Sequence, residues 1–224
     1  MIKAIIFDFD GVIVDTEPIH LKAFQKILRK EGVELKDSLY YSKYLAYDDI
    51  TFFRKSMCDF GISKSDKEIN ELVEAKSKIV DSLFEENLEL FPGVKEFIQK
   101  ASENYSLVIG SGALRKEIEF ILEKFDMTNK FKLIVSANEV EKCKPDPEVY
   151  IKALDLLNKT NSNYYIKPYE CLVIEDSVYG IKAAKDAGML CAAITNSYDR
   201  KKLVNADIVL DNLLELNPEE LNTL

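Results

Sequence analysis

The chain has 224 residues, 47% of them hydrophobic, with a formal net charge of −9. That length suits one large domain, or a domain with a smaller one inserted, and the acidic balance argues against a general nucleic-acid or membrane-surface binder, which would favour a basic footprint. Four scattered cysteines without a C-x-x-C pair and a single histidine, His20, speak against a zinc cluster. An apolar, β-favouring run, Ile5-Ile-Phe7, then reads as a buried strand that breaks off into Asp8, Asp10 and Gly11. Those acids interrupt the N-terminal apolar stretch, so no signal peptide is expected, and nowhere is there a run of about 18 apolar residues to span a bilayer. Reduced thiols and a cytoplasmic location are the expectation.

Glu17-Pro18 opens a helical pattern with His20, Phe24, Ile27 and Leu28 on one face, ending near Gly32. Asp48 to Phe60 reads as a second helix closed by Gly61. A third runs from about Ser65 to Glu86 on a stripe of Ile69, Leu72, Val73, Ile79, Val80, Leu83 and Phe84. No segment from Thr16 to Leu88 reads as a strand. Beyond Phe91-Pro92-Gly93, short β-favouring runs alternate with amphipathic helices: Ser106 to Ile109, Leu133 to Val135, Cys171 to Ile174, Leu190 to Ile194 and Ile208 to Leu210. This alternation predicts βαβ units and a parallel sheet interrupted by an all-helical insertion. The polar stretch Asn158 to Pro168 is expected to be a loose loop.

The chemistry is concentrated where strands stop. Two carboxylates at the end of the first strand read either as turn and cap residues or as a site needing a cation; a calcium loop fits poorly because Val12, Ile13 and Val14 stand where further oxygen ligands would be. The strand from Ser106 ends in Ser111-Gly112 before a helix over Leu114 to Phe125, which offers an anion site or a simple Ser N-cap. Arg115, in the first turn of that helix, opposes its dipole and calls for an anionic partner, either a phosphate or Glu119 at i+4. The strand from Cys171 ends in Glu175-Asp176-Ser177, ahead of a helix stopped by Gly188. Acids at two separate strand ends, with no His or Cys beside them, point to Mg²⁺. Lys144-Pro-Asp-Pro147 places a cation before a helix that Asp146 can cap.

Together these stretches resemble the haloacid dehalogenase superfamily, in its β-phosphoglucomutase-like and phosphoglycolate phosphatase-like branch. Asp8-Phe-Asp10-Gly-Val-Ile-Val-Asp15-Thr is similar to the first motif, Ser111-Gly112 to the second, Lys144-Pro-Asp-Pro to the third, and Glu175-Asp176-Ser177 with Gly180 to the fourth. The resemblance implies an α/β fold, with a Rossmann-like parallel-sheet core over residues 1–15 and 90–224 and an inserted all-helical cap domain over 16–89, hinged at Asp15-Thr16. It implies Asp8 as nucleophile, Asp10 as acid/base, and Mg²⁺ held by Asp8, the Asp10 carbonyl and Asp176, with Glu175 behind them. Ser111 and Lys144 would bind the phosphoryl oxygens.

On that resemblance the chain is a Mg²⁺-dependent phosphatase for a small phosphorylated metabolite, with a sugar-phosphate mutase as the alternative reading and a non-catalytic phospho-ligand binding protein as the third. Asp10 separates it from dehalogenases. The segment Tyr44-Leu-Ala-Tyr-Asp48 lacks the cap Arg with which β-phosphoglucomutases grip a second phosphate, and Arg115 stands where they usually have Asn. Gly112, Arg115, His20 and Lys76 are further substrate-binding candidates. Lys76 interrupts an apolar stripe and either snorkels or points into the site. His20 is either packed or functional. Cys143, where relatives usually have Gly, is given no redox role. A monomer is the default.

Overall fold

The run Ala4-Ile5-Ile6-Phe7 has no polar face for water, and all four side chains are fully buried. They form the first of six strands in a computed structural model that describes residues 1–45, 47–160 and 164–223. The strands are β1 (Ala4–Phe7), β2 (Ser106–Gly110), β3 (Phe131–Val135), β4 (Cys171–Glu175), β5 (Leu190–Ile194) and β6 (Ile208–Leu210). They make one sheet in the order β3-β2-β1-β4-β5-β6, parallel throughout. Alternate residues of β1 serve opposite faces. Ala4 and Ile6 join a cluster with Tyr150, Leu154 and Ile181, while the Phe7 ring meets Phe97 edge-on at 6.1 Å on the other side. Burial on both faces is what makes these strands continuous apolar runs instead of alternating ones.

Eight α-helices accompany the sheet among the described residues: α1 (Glu17–Lys30), α2 (Asp37–Leu39), α3 (Asp49–Asp59), α4 (Asp66–Asn87), α5 (Val94–Asn104), α6 (Arg115–Lys124), α7 (Glu148–Thr160) and α8 (Val178–Asp186). The chain divides into two compact units, Met1–Asp15 with Glu89–Leu224, and Thr16–Leu88. The second contains no strand among its described residues. Its core is aromatic, with Phe24 stacked on Phe52 at 3.6 Å and Tyr40, Tyr44 and Phe53 around them.

Local chemistry explains the boundaries. Asp48 caps α3 by accepting from Thr51 N at 3.0 Å, so the helix begins one residue later than the apolar pattern suggests. Ser65 and Glu68 form a capping box at the start of α4. Gly32 and Gly61, with φ of +79° and +74°, turn the chain out of α1 and α3.

Further departures from the sequence pattern include β3, which begins two residues early at Phe131. The Lys36–Leu45 stretch contains α2 and a π-helical turn, Tyr40–Tyr44, with no clear periodicity to announce them. β4 extends one residue further than its apolar run and takes in Glu175. The stretch from Asn158 is not loose where it is described, because Asn158 Nδ2 donates to Ile166 O at 2.9 Å and Asn158 Oδ1 accepts from Ile166 N at 2.8 Å. Residues 161–163 of that stretch lie outside the described residues, as does Ala46 of the segment compared with mutases. Among the described residues, no helix is long and apolar enough to cross a membrane.

Candidate active site

The parallel register brings the ends of β1, β2 and β4 to one edge of the sheet, and the polar residues that follow them meet there. Asp8 is fixed at the end of β1 by its backbone N–H, which donates to Ile174 O at 2.9 Å. Its side chain is buried. Lys144 Nζ lies 2.9 Å from Asp8 Oδ1 and 2.7 Å from Glu175 Oε1. The contact with Glu175 is a formed hydrogen bond. That with Asp8 is a charge contact off the hydrogen-bonding direction, which leaves Asp8 Oδ1 buried without a donor.

Glu175 is saturated. Oε1 accepts from Lys144 and from the Tyr150 hydroxyl at 2.6 Å, while Oε2 accepts from Asp176 N, Ser177 N and Ser177 Oγ at 3.0, 3.1 and 3.0 Å. Two glycines allow this closeness. A methyl group on Gly180 would come 1.7 Å from Glu175 Oε1, and one on Gly11 would come 1.9 Å from Asp176 Oδ2. Gly11 also has φ +77°, and its carbonyl accepts from Asn196 Nδ2 at 2.7 Å. Asp176 Oδ2 accepts from the Ser197 hydroxyl.

The electrostatics follow from three buried acids around one lysine. Burial raises the Asp8 pKa to about 6, with Glu175 adding to the rise and Lys144 and Ser111 opposing it. Asp176 is pushed well up, first by burial and then by Glu175 and Asp8. Burial would raise Glu175 too, but Lys144 and the other donors overcome it and hold the group below its ordinary value. Lys144 is held above its ordinary value because Asp8 and Glu175 outweigh its desolvation. Burial beside Glu175 likewise keeps the Tyr150 phenol protonated.

One carboxylate oxygen from each of Asp8, Glu175 and Asp176 lies within 4.8 Å of the others. This all-oxygen cluster fits a hard divalent cation. Since Glu175 is filled by donors, Asp8 and Asp176 are the carboxylates suited to hold one. Bound there, a cation would favour the charged forms that burial now disfavours.

Of the other residues singled out from sequence, Asp10 is half-buried in the turn after β1, and Ser111 is buried after β2, with its N–H donating to Val135 O at 2.9 Å. Ser111 is not a helix cap. Its Oγ accepts from Ala113 N at 3.2 Å, and α6 starts only after Leu114. Gly112 is exposed beside it. Ser177, not Asp176, caps α8, through Gly180 N at 2.9 Å. Arg115 is engaged by protein groups, with Glu139 Oε2 and Ile134 O each at 2.6 Å and Glu119 Oε1 at 3.2 Å. Cys143 is exposed and free.

Within the helical unit, Lys76 is 4% exposed, so it does not snorkel. Its ammonium donates to Asp49 Oδ1 at 2.6 Å and to His20 Nδ1 at 2.8 Å, and lies 4.5 Å from the Phe24 ring centroid. Burial and, secondarily, Lys76 lower the His20 pKa to about 3. The ring meets Phe84 edge-on at 6.2 Å.

Sequence reasoning missed Tyr150, Asn196, Ser197 and Asp49. Tyr150 sits on an apolar helix face and reads as core; Asp49 reads as an ordinary first-turn acid. Asn196 and Ser197 follow β5, and a polar pair at a further strand end was the available signal.

A parallel sheet that gathers carboxylates and a lysine at its C-terminal edge defines an α/β enzyme with a Rossmann-like core. Residues 5–194 match the family described as haloacid dehalogenase-like hydrolase, and the chain belongs to that family. It is 28% identical over 211 residues to a phosphorylated carbohydrates phosphatase of Thermotoga maritima, covering 92% of each chain. With hexitol phosphatase B of Escherichia coli it shares 30% identity over 228 residues, covering 98% of this chain and 96% of the relative. A crystal structure of β-phosphoglucomutase from Clostridium difficile superposes with a TM-score of 0.82 at 27% identity, covering 100% of this chain and 96% of that one.

Proposed function

We propose that the protein is a Mg²⁺-dependent phosphatase acting on a small phosphorylated metabolite of the sugar or polyol kind. The observation that carries this reading is the buried Asp8 carboxylate in contact with Lys144 and beside Asp176 at the sheet edge. Hydrolysis of phosphorylated carbohydrates by family members of similar length supports the substrate class.

In the proposed reaction an oxygen of Asp8 attacks phosphorus, the bond from phosphorus to the leaving oxygen breaks, and that oxygen takes its electron pair and a proton from Asp10. Water then attacks the aspartyl-phosphate while giving a proton to Asp10, which frees phosphate and restores the Asp8 carboxylate. Lys144 offsets the repulsion between the attacking carboxylate and the phosphate dianion, and Ser111 contributes a hydroxyl at the same edge. Asp8 and Asp176 would hold Mg²⁺, which when bound supplies charge neutralisation at the phosphoryl oxygens. The helical unit is assigned the role of a cap domain, as the family resemblance implies.

Mutase chemistry is the second reading, favoured by the likeness to the C. difficile enzyme. The segment Tyr44-Leu-Ala-Tyr-Asp48, which lacks the cap Arg of β-phosphoglucomutases, favours hydrolysis instead. A panel of phosphorylated sugars and polyols, scored for inorganic phosphate with and without a chelator, tests the proposal. Metal-dependent phosphate release, lost in Asp8→Asn, is the expected result. Isomerised sugar phosphate without free phosphate supports the mutase, and full activity of Asp8→Asn sinks the nucleophile.

A further inference from the structure

Tyr150 lies outside the motifs that carry the family resemblance, yet its hydroxyl is part of the charged cluster. It stands on α7, fully buried, and donates to Glu175 Oε1 at 2.6 Å. The same oxygen accepts from Lys144 Nζ at 2.7 Å, and the ammonium lies 4.8 Å from the centroid of the Tyr150 ring. Tyr150 therefore meets the lysine twice, through its ring and through the oxygen they share.

Packing accounts for the ring and not for the hydroxyl. The ring belongs to an apolar cluster with Val149, Ala153, Val173 and Ile181, where phenylalanine would fill the same space. It is also held close to β2, since a methyl group on Gly110 would come 3.3 Å from it. A buried hydroxyl in such surroundings is tolerated only because it has an acceptor.

That acceptor cannot turn away. Glu175 Oε2 is pinned by two backbone N–H groups and the Ser177 hydroxyl, so the carboxylate keeps its orientation whatever happens at Oε1. The Lys144 ammonium is left between two acids, 2.7 Å from Glu175 Oε1 and 2.9 Å from Asp8 Oδ1. How strongly Oε1 draws the ammonium depends on what else donates to it, and Tyr150 is that second donor.

We propose that Tyr150 is a positioning residue. By donating to Glu175 Oε1 it shares that oxygen's negative charge and leaves Lys144 directed toward Asp8 and the phosphoryl group that Asp8 attacks. The inference rests on the phosphatase reading. Removing the hydroxyl draws the ammonium toward Glu175, which weakens its hold on charge developing in the transition state more than it weakens ground-state binding.

The test is Tyr150→Phe, compared with wild type in single-turnover release of p-nitrophenol from p-nitrophenyl phosphate with Mg²⁺ present, with a thermal melt alongside. The expected result is a maximal rate lower by about tenfold at a half-saturating concentration unchanged within about twofold. An unchanged rate, a change confined to half-saturation, or a variant that fails to fold would each assign the hydroxyl a different role and overturn the inference. Failure of the inference alone shows as an active wild type with an equally active variant. A wild type that releases no phosphate from this or any other ester removes the phosphatase reading and the inference with it.

Discussion

Acidification probes the helical unit at one ring, because His20 is the only histidine in the chain. Its pKa is lowered from 6.5 to about 3, chiefly by burial and then by the Lys76 ammonium that donates to Nδ1. As pH falls, the unfolded chain takes up a proton that the folded one refuses. The contribution of His20 to stability is therefore whole above about pH 6.5 and is lost as pH falls toward 3. The full displacement corresponds to about 5 kcal/mol, but His20 is only half-buried and water screens it in part, so the loss is on the order of 2 kcal/mol. Nitrogen-15 NMR of the imidazole reads this directly. A neutral ring protonated on Nε2 is expected, with no titration between about pH 5 and 8. In Lys76→Met the midpoint rises only part of the way, because burial is the larger cause and remains. A wild-type midpoint near 6.5 would refute the Lys76–His20 geometry.

Glu175→Gln should destabilise the fold by about 3–5 kcal/mol, because the amide, whichever way it turns, presents N–H to groups that are themselves donors and leaves Lys144 short of a charge. Calorimetry should then show a midpoint lower by roughly 6–20 °C; a change under about 2 °C would contradict the saturated environment of Glu175. Arg115→Ala should lose about 1 kcal/mol through its contacts with Glu139, Glu119 and Ile134 O and leave inhibition by inorganic phosphate unchanged. Inhibition weaker by about tenfold would place Arg115 at the anion instead.

What could be read from sequence was what depends on residue type along a single segment. The apolar runs that end in Asp8, Ser111 and Glu175 announced strands and their functional edge together, since the same break in hydrophobicity marks both. Gly32, Gly61 and Gly188 marked helix ends because each adopts a positive φ. Partnerships across the fold were not legible. Lys76 stood out as a polar residue in an apolar stripe, but Asp49, which neutralises it, looked like any acid in a first helical turn. Glu175 was expected behind the metal, and its five donors come from α7, the Lys144 loop and its own turn, which no local spacing reveals. Arg115 had two possible partners on paper; the structure supplies Glu119 and adds Glu139, which follows β3.

The central place of β1 has a consequence for how the molecule assembles. Ala4 pairs with Ser106 on one side and Cys171 on the other, so β1 gains its first neighbour, β2, only after the whole helical unit has been synthesised, and its second only when β4 follows. Until β2 is made it is an apolar ribbon with two unsatisfied edges, and until β4 is made with one, the kind of segment that invites pairing with other chains. The helical unit, whose aromatic cluster lies within residues 16–88, closes on contacts nearer in sequence. Asp8 is also the residue whose N–H waits for the carbonyl of Ile174. A chain released before β4 would thus carry the acid of its first motif without the strand that fixes it in place.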